Sequence, residues 1–192
     1  MKLATREYLR QLLHLGSGAG AFLLFYWSRL TVAGLIASGV TIVLTTYWYV
    51  SKRQLVNPMY RPGESVWNNG AIRYAIGVAL AVAVFPPHYA FIGWIILAAG
   101  DSASTIAGGV LPIRRLRNSH SVGGLIGFVL ASFCATLPAW WWWNTGLSAG
   151  APIRLGLVCV LCGLTELLVS KVDDNYYLPT LGAGLSALLA IS

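Results

Sequence analysis

Acid is scarce in this chain. Six Asp and Glu stand against thirteen Lys and Arg in 192 residues, for a net charge of +7. Charge of either sign is scarce, at 10% of residues against 57% hydrophobic, with a mean hydropathy of +0.68. A water-soluble domain of this length has no use for so much apolar surface, which excludes that class of fold. Cysteine is scarce too. Cys134, Cys159 and Cys162 all lie inside apolar runs and read as small buried hydrophobes. Cys159-x-x-Cys162 has no second ligand pair, which excludes a structural zinc site. The soluble nucleotide signatures are missing as well: there is no GxxxxGK[ST], no GxGxxG and no HExxH. Internal repeats and low-complexity tracts are likewise absent.

What the chain has instead is apolar length. Seven apolar segments emerge at about 8–27, 30–50, 71–86, 88–111, 122–143, 153–170 and 178–192. Several approach the ~20 residues that cross roughly 30 Å of hydrocarbon. The expectation is an all-α fold. It is a polytopic helical membrane bundle of about seven transmembrane helices, with residues 1–192 as a single membrane-embedded domain. Pro86-Pro87 predicts a tight turn that makes a hairpin of the third and fourth segments, and a re-entrant pair is compatible with it. The basic, apolar start resembles a secretory leader, but Glu7, Arg10 and His14 interrupt it and another span follows at once. It therefore reads as a retained helix.

Lys and Arg set the orientation. With the N-terminus inside, the inner stretches hold Lys2, Arg6, Arg10, Lys52, Arg53, Arg61, Arg73, Arg114, Arg115, Arg117 and Lys171. The outer ones hold only Arg29 and Arg154. That asymmetry places the N-terminus in the cytoplasm. It also accounts for the basic balance through topology and anionic lipid, with no nucleic-acid partner. Tyr26-Trp27 and Trp140 to Trp143 mark outer ends, and Tyr47 to Tyr49 with Tyr176-Tyr177 mark inner ends, as an interfacial belt does. The longest loop, 51–70, is cytoplasmic on this topology and either covers a site or connects helices.

The few carboxylates sit where they are most expensive. Asp101 lies in an apolar run, Glu166 in another, and Asp173-Asp174 follow directly after it. A carboxylate at membrane depth marks a functional site by default. Asp101, Ser104, Thr105 and Gly108 share a small polar helix face. Glu7, Arg10, His14 and Ser17-Gly18 form one stripe that faces protein rather than lipid. RRLRNSHSVGG (114–124) supplies Arg114, Arg115, Arg117, His120 and Ser121 just before a helix. Alone, that stretch reads as a topogenic loop against headgroups. Beside carboxylates on the same membrane face, it completes an inventory for a magnesium–nucleotide polyphosphate. Hard carboxylate oxygens take Mg²⁺, and planar guanidinium donors suit phosphate.

These elements, in this order, resemble the CTP-dependent membrane lipid kinases. That family includes dolichol kinase, phytol and farnesol kinases, yeast-type diacylglycerol kinase and short prokaryotic relatives. Arg10-x-x-x-His14-x-x-Ser17-Gly18 is similar to the family's N-terminal basic, His-containing motif. Gly100-Asp101 through Gly108 resembles its GDxxAxxxG element, with Ser104 in the small-residue position. His120-Ser121-Val122-Gly123-Gly124 occupies the place of its Lys-Ser/Thr-x-x-Gly element. Glu166, then Asp174-Asn175-x-x-x-Pro179, resembles its closing element. Two departures stand out: His120 where the family usually has Lys, and Gly109 where it often has Arg.

The resemblance implies transfer of the γ-phosphoryl group of CTP to the hydroxyl of a membrane lipid alcohol, at the cytoplasmic face. The acceptor is a polyprenol, a phytol-like isoprenoid or diacylglycerol. The implied catalytic residues are Asp101, Glu166 and Asp174, which also form the Mg²⁺ shell. The implied nucleotide and phosphate contacts are Arg10, His14, Ser104, Gly108, Arg114, Arg115, Arg117, His120, Ser121 and Asn175. The protein is then integral to the membrane, the cell inner membrane in a prokaryote. Its small-residue stripes serve internal packing or a homo-oligomer. Two other functions fit the composition. One is a CTP-dependent cytidylyltransferase making a CDP-lipid, although its terminal Asp-Arg-x-Asp signature is missing. The other is a non-enzymatic transporter or scaffold whose buried carboxylates carry ions.

Overall fold

The computed structural model describes residues 5–52, 70–111, 113–114, 116, 120–143, 150–169 and 172–189. Among them every regular element is helical. Helix α1 (Thr5–Ser17) runs straight into a 3-10 segment, Gly18–Phe25. It is followed by α2 (Arg29–Lys52), α3 (Gly70–Val84) and α4 (Pro87–Ile95). A π segment, Ile96–Asp101, joins α4 to α5 (Ser102–Val110) without a break. Then come α6 (Val122–Trp143), α7 (Ala151–Leu168) and α8 (Asp174–Leu188).

Boundaries follow local chemistry. The chain turns between α3 and α4 at Pro86-Pro87, where Pro86 is extended (φ −52°, ψ 149°) and Pro87 opens the new helix without needing an N–H. Asp173 caps α8 by accepting from the Asn175 backbone N–H. Among the described residues, four helices are long and apolar enough to cross a membrane, over Arg29–Thr46, Pro87–Val110, Val122–Trp142 and Ala151–Leu168. Gly70–Val84 is apolar but shorter, covering about 22 Å at ~1.5 Å per residue.

The α4–π–α5 rod is the axis of the bundle. An 18-residue window within Pro87–Val110 is 72% buried, against 6% in the α2 window Arg29–Thr46 at the rim. The rod packs on α8 and α6, and α8 packs in turn on α3 and α7. Phe91, Ile92, Ile96, Leu97, Phe128, Leu155 and Leu178 fill the centre. Helix α8 sits unusually close to two neighbours. A Cβ on Gly77 of α3 would strike the Asn175 carbonyl oxygen, and one on Gly93 of α4 would strike that of Pro179. Pro179 has no N–H, so the Asn175 carbonyl lacks its ordinary i+4 donor inside α8. This is the carbonyl that lies against Gly77.

The bundle has two chemically distinct ends. The starts of α3, α6 and α8 and the finish of α7 share one end with Asp101, Glu166, Asp173 and Asp174. At the other end stand Arg29 and Arg154, the two outer exceptions to the charge asymmetry. Each lies at the start of its own helix, where a cation is disfavoured, and each spends its charge on the finish of a different one. Arg29 Nη1 donates to the Val84 carbonyl of α3 (3.3 Å), and Arg154 Nη1 to the Leu189 carbonyl after α8 (3.1 Å). Arg154→Gln is expected to destabilise the bundle by about 1 kcal/mol. Thermal unfolding in detergent checks it, and an unchanged midpoint removes Arg154 from this role.

Candidate active site

Asp101 arrives on the last residue of the π segment, Glu166 near the finish of α7, and Asp174 on the first residue of α8. One carboxylate oxygen from each lies within 4.8 Å of the others. These residues are 65 and 8 positions apart in the chain (101 to 166 to 174), so packing alone assembles them. Glu166 is only 5% exposed. Three like charges this close, in so apolar a bundle, repel strongly unless a cation or protons neutralise them.

Polar neighbours complete the shell. Ser104 Oγ donates to Glu166 Oε1 (3.0 Å), and His120 Nδ1 stands 3.8 Å from the same oxygen. His14 Nε2 lies 3.5 Å from Asp101 Oδ2, and its ring meets Tyr74 edge-on at 4.4 Å. Tyr74 is held in turn by Trp94, whose Nε1–H donates to the phenol oxygen (2.7 Å). The Asn175 backbone N–H donates to Asp174 Oδ1 (2.8 Å) and its Nδ2 to the same oxygen (3.3 Å). Asn175 Oδ1 and Tyr177 Oη are buried with no hydrogen-bond partner among the described residues.

The remaining expected contacts are placed as follows. Arg10 lies against the start of α3, with its Nη2 at 3.9 Å from where a Gly70 Cβ would stand. Gly108 faces the start of α6, with Ser121 Oγ 3.3 Å from the position of its missing Cβ. Ser121 Oγ accepts from the Gly124 N–H (3.0 Å), capping α6. Arg114 is exposed and adopts a left-handed backbone (φ 35°), a conformation that costs a non-glycine residue about 1 kcal/mol. Arg115, Arg117, Lys171, most of the 51–70 loop and the Glu7 side chain lie outside the described residues.

His120 bears on the first departure from the family pattern. Desolvation holds its ring below the ordinary histidine value, so it is mostly neutral at pH 7 and supplies no fixed cation. In the sequence Arg73 counts only as a topogenic charge. Its guanidinium donates directly to Asp173 Oδ2. Burial works to raise the Asp173 carboxyl, but hydrogen bonds from Asn175 and Arg73, with the Arg73 charge, hold it below the usual carboxylate range. No sequence signal pairs residues 100 positions apart. The π segment was also invisible. One extra residue in one turn shifts the hydrophobic period too little to register, yet such bulges concentrate at functional sites.

The donor set suits a hard divalent cation. It offers three carboxylates from three elements, with two further buried, unpartnered oxygens on Asn175 and Tyr177. No protein-family model matches the chain, and no solved structure matches it. Among curated proteins, it is similar to CTP-dependent diacylglycerol kinase 1 of Schizosaccharomyces pombe. The two are 27% identical over 147 residues, which is 71% of this chain and 67% of the relative.

Proposed function

We propose that this chain is a membrane lipid kinase that transfers the γ-phosphoryl group of CTP to the hydroxyl of a lipid alcohol at the cytoplasmic face. The observation that carries this reading is the convergence of Asp101, Glu166 and Asp174 within 4.8 Å at the basic end of an apolar bundle. The likeness to a CTP-dependent diacylglycerol kinase supports the nucleotide and makes diacylglycerol the first acceptor to try, ahead of polyprenols and phytol-like alcohols. The Lys and Arg asymmetry supports seven crossings with the N-terminus and the site on the cytoplasmic side.

In this reading Asp101, Glu166 and Asp174 hold Mg²⁺. When bound, the ion neutralises charge on the phosphate oxygens and aligns the group in transit. Arg10, Arg114, Arg115 and Arg117 hold the remaining polyphosphate charge, and His14, His120, Ser121 and Asn175 position it. Ser104 and Gly108 keep the wall beside Glu166 and Ser121 narrow. Asp101 is more open than Glu166, at 17% against 5% side-chain exposure, and takes the proton of the acceptor hydroxyl. The lipid oxygen bonds to the γ-phosphorus, the bond from that phosphorus to the β-bridging oxygen breaks, and CDP leaves. Little covalent work falls to the protein; positioning and charge stabilisation carry the step.

The test is purified protein with Mg²⁺, each common γ-labelled nucleoside triphosphate and a panel of lipid alcohols, read by thin-layer chromatography and mass spectrometry. A lipid gaining one phosphate, fastest with CTP, is expected. A lipid gaining CMP makes the protein a cytidylyltransferase, and no labelled lipid in any combination ends the enzyme reading. A companion variant addresses the neutral ring at position 120. His120→Lys is expected to lower the KM for CTP several-fold with little change in the KM for lipid, because lysine adds a fixed cation beside Glu166. An unchanged or higher KM for CTP takes residue 120 out of phosphate binding.

A further inference from the structure

Among the described residues, four carboxylates gather at the site end, of which three face one another. The fourth, Asp173, has both oxygens committed. Its Oδ2 accepts from the Arg73 guanidinium. Its Oδ1 accepts from the Asn175 backbone N–H (3.2 Å) and side-chain Nδ2 (2.8 Å). The same two Asn175 groups bond Asp174 Oδ1. A continuous polar chain thus runs from α3 to the centre: Arg73 to Asp173, Asp173 to Asn175, Asn175 to Asp174. The backbone reinforces it, since Gly77, one turn after Arg73 on α3, receives the Asn175 and Tyr176 carbonyls.

We infer that Arg73 is a positioning residue that withdraws Asp173 from the carboxylate centre and so fixes Asp174 for the divalent cation. The inference rests on the proposed reading of that centre. The physical reason is electrostatic as well as geometric. The pair is partly sheltered, with side chains 21% and 24% exposed, so its attraction is screened less than a surface pair's. Without the guanidinium, an unneutralised carboxylate stands next to Asp174. It repels Asp174 and is free to turn inward as a surplus ligand. Groups that orient metal ligands in this way typically change cation affinity by 10–100-fold when removed.

The test uses the full chain in phosphatidylcholine nanodiscs, with Mn²⁺ as the probe, read by electron paramagnetic resonance without nucleotide. Arg73→Gln is expected to weaken Mn²⁺ binding about tenfold or more. Arg73→Lys, which keeps the charge but not the planar fork, is expected to stay within about threefold. Asp173→Asn keeps an oxygen to cap α8 and removes the surplus charge. The double variant R73Q/D173N is therefore expected to bind Mn²⁺ more tightly than R73Q alone. A merely structural Arg73 makes the double variant no better than the single one, and that result, or wild-type affinity in R73Q, overturns the inference. A wild-type chain that binds no Mn²⁺ overturns both the carboxylate centre and this role. Wild type that shows the full Mn²⁺ pattern but phosphorylates no lipid overturns the kinase reading alone.

Discussion

Replacing Asp101 by Asn is expected to abolish the proposed transfer of label from γ-labelled CTP, by a factor of about 10³ or more, while the protein still expresses and folds. The substitution is nearly isosteric, so packing of the π segment is preserved. What it removes is an anionic oxygen that faces Glu166 and Asp174, with His14 at 3.5 Å behind it. Loss of a positioned proton acceptor alone typically costs 10²–10⁴ in rate, and weakened cation binding adds to that. Stability moves the other way. Three crowded carboxylates are a strain on the fold in the absence of cation, so D101N is expected to match or exceed the wild-type melting temperature without Mg²⁺. Measuring kcat, both KM values and the melting temperature on one preparation separates the roles. A variant that keeps more than about a tenth of the activity removes Asp101 from the chemistry. Loss of ion flux in nucleotide-free vesicles, with no effect on phosphate transfer, moves the residue to a transport role.

The second large effect falls on a residue with no side chain. Gly93→Ala is expected to unfold or loosen the bundle, lowering stability by about 2 kcal/mol or more. The added Cβ meets the carbonyl oxygen of Pro179 and lies 2.9 Å from the Ala183 backbone nitrogen. These are backbone atoms, so no rotamer change relieves them and the helices must part. Overpacking of this kind costs about 1–3 kcal/mol, occasionally more. The helix-propensity gain of Gly to Ala opposes it by up to about 1 kcal/mol. Clash wins, and it also moves α8, whose first residue is Asp174, so Mn²⁺ affinity should fall in parallel. Gly34→Ala in α2 is the control. Nothing lies within 4 Å of that position, so only the propensity gain remains, and stability is expected to hold or rise. Equal melting curves for the two variants exclude close α4–α8 contact as a source of stability.

Much of this is legible in the sequence. Apolar length locates the helical segments, because nothing but a helix satisfies a backbone in hydrocarbon. Asp101, Glu166 and Asp174 stand out because ionisable groups are so few, and their neighbours arrive by ordinary helical spacing. The unread part is tertiary. Length and composition do not distinguish a central rod from a rim helix. The 18-residue windows within Pro87–Val110 and at Arg29–Thr46 have the same mean hydropathy of 1.5, yet one is the core and the other mostly faces outward. The sequence marks Arg29 and Arg154 only as exceptions. The fold explains them as counter-charges for the finishes of α3 and α8. Arg73 shows the converse: a residue that counts as one more inner cation is tied to Asp173 and, through it, to the centre.

The position of α8 in the chain order has a consequence for biosynthesis. Asp101 precedes Asp174 by 73 residues but Glu166 precedes it by only 8, and the surface that receives α8 is built from the earlier α3 and α4. A nascent polypeptide therefore threads one costly acid, Asp101, through the translocon ahead of both its partners. The three-carboxylate cluster is complete only when α8 seats. A product released before α8 would insert as an ordinary membrane protein without the third carboxylate.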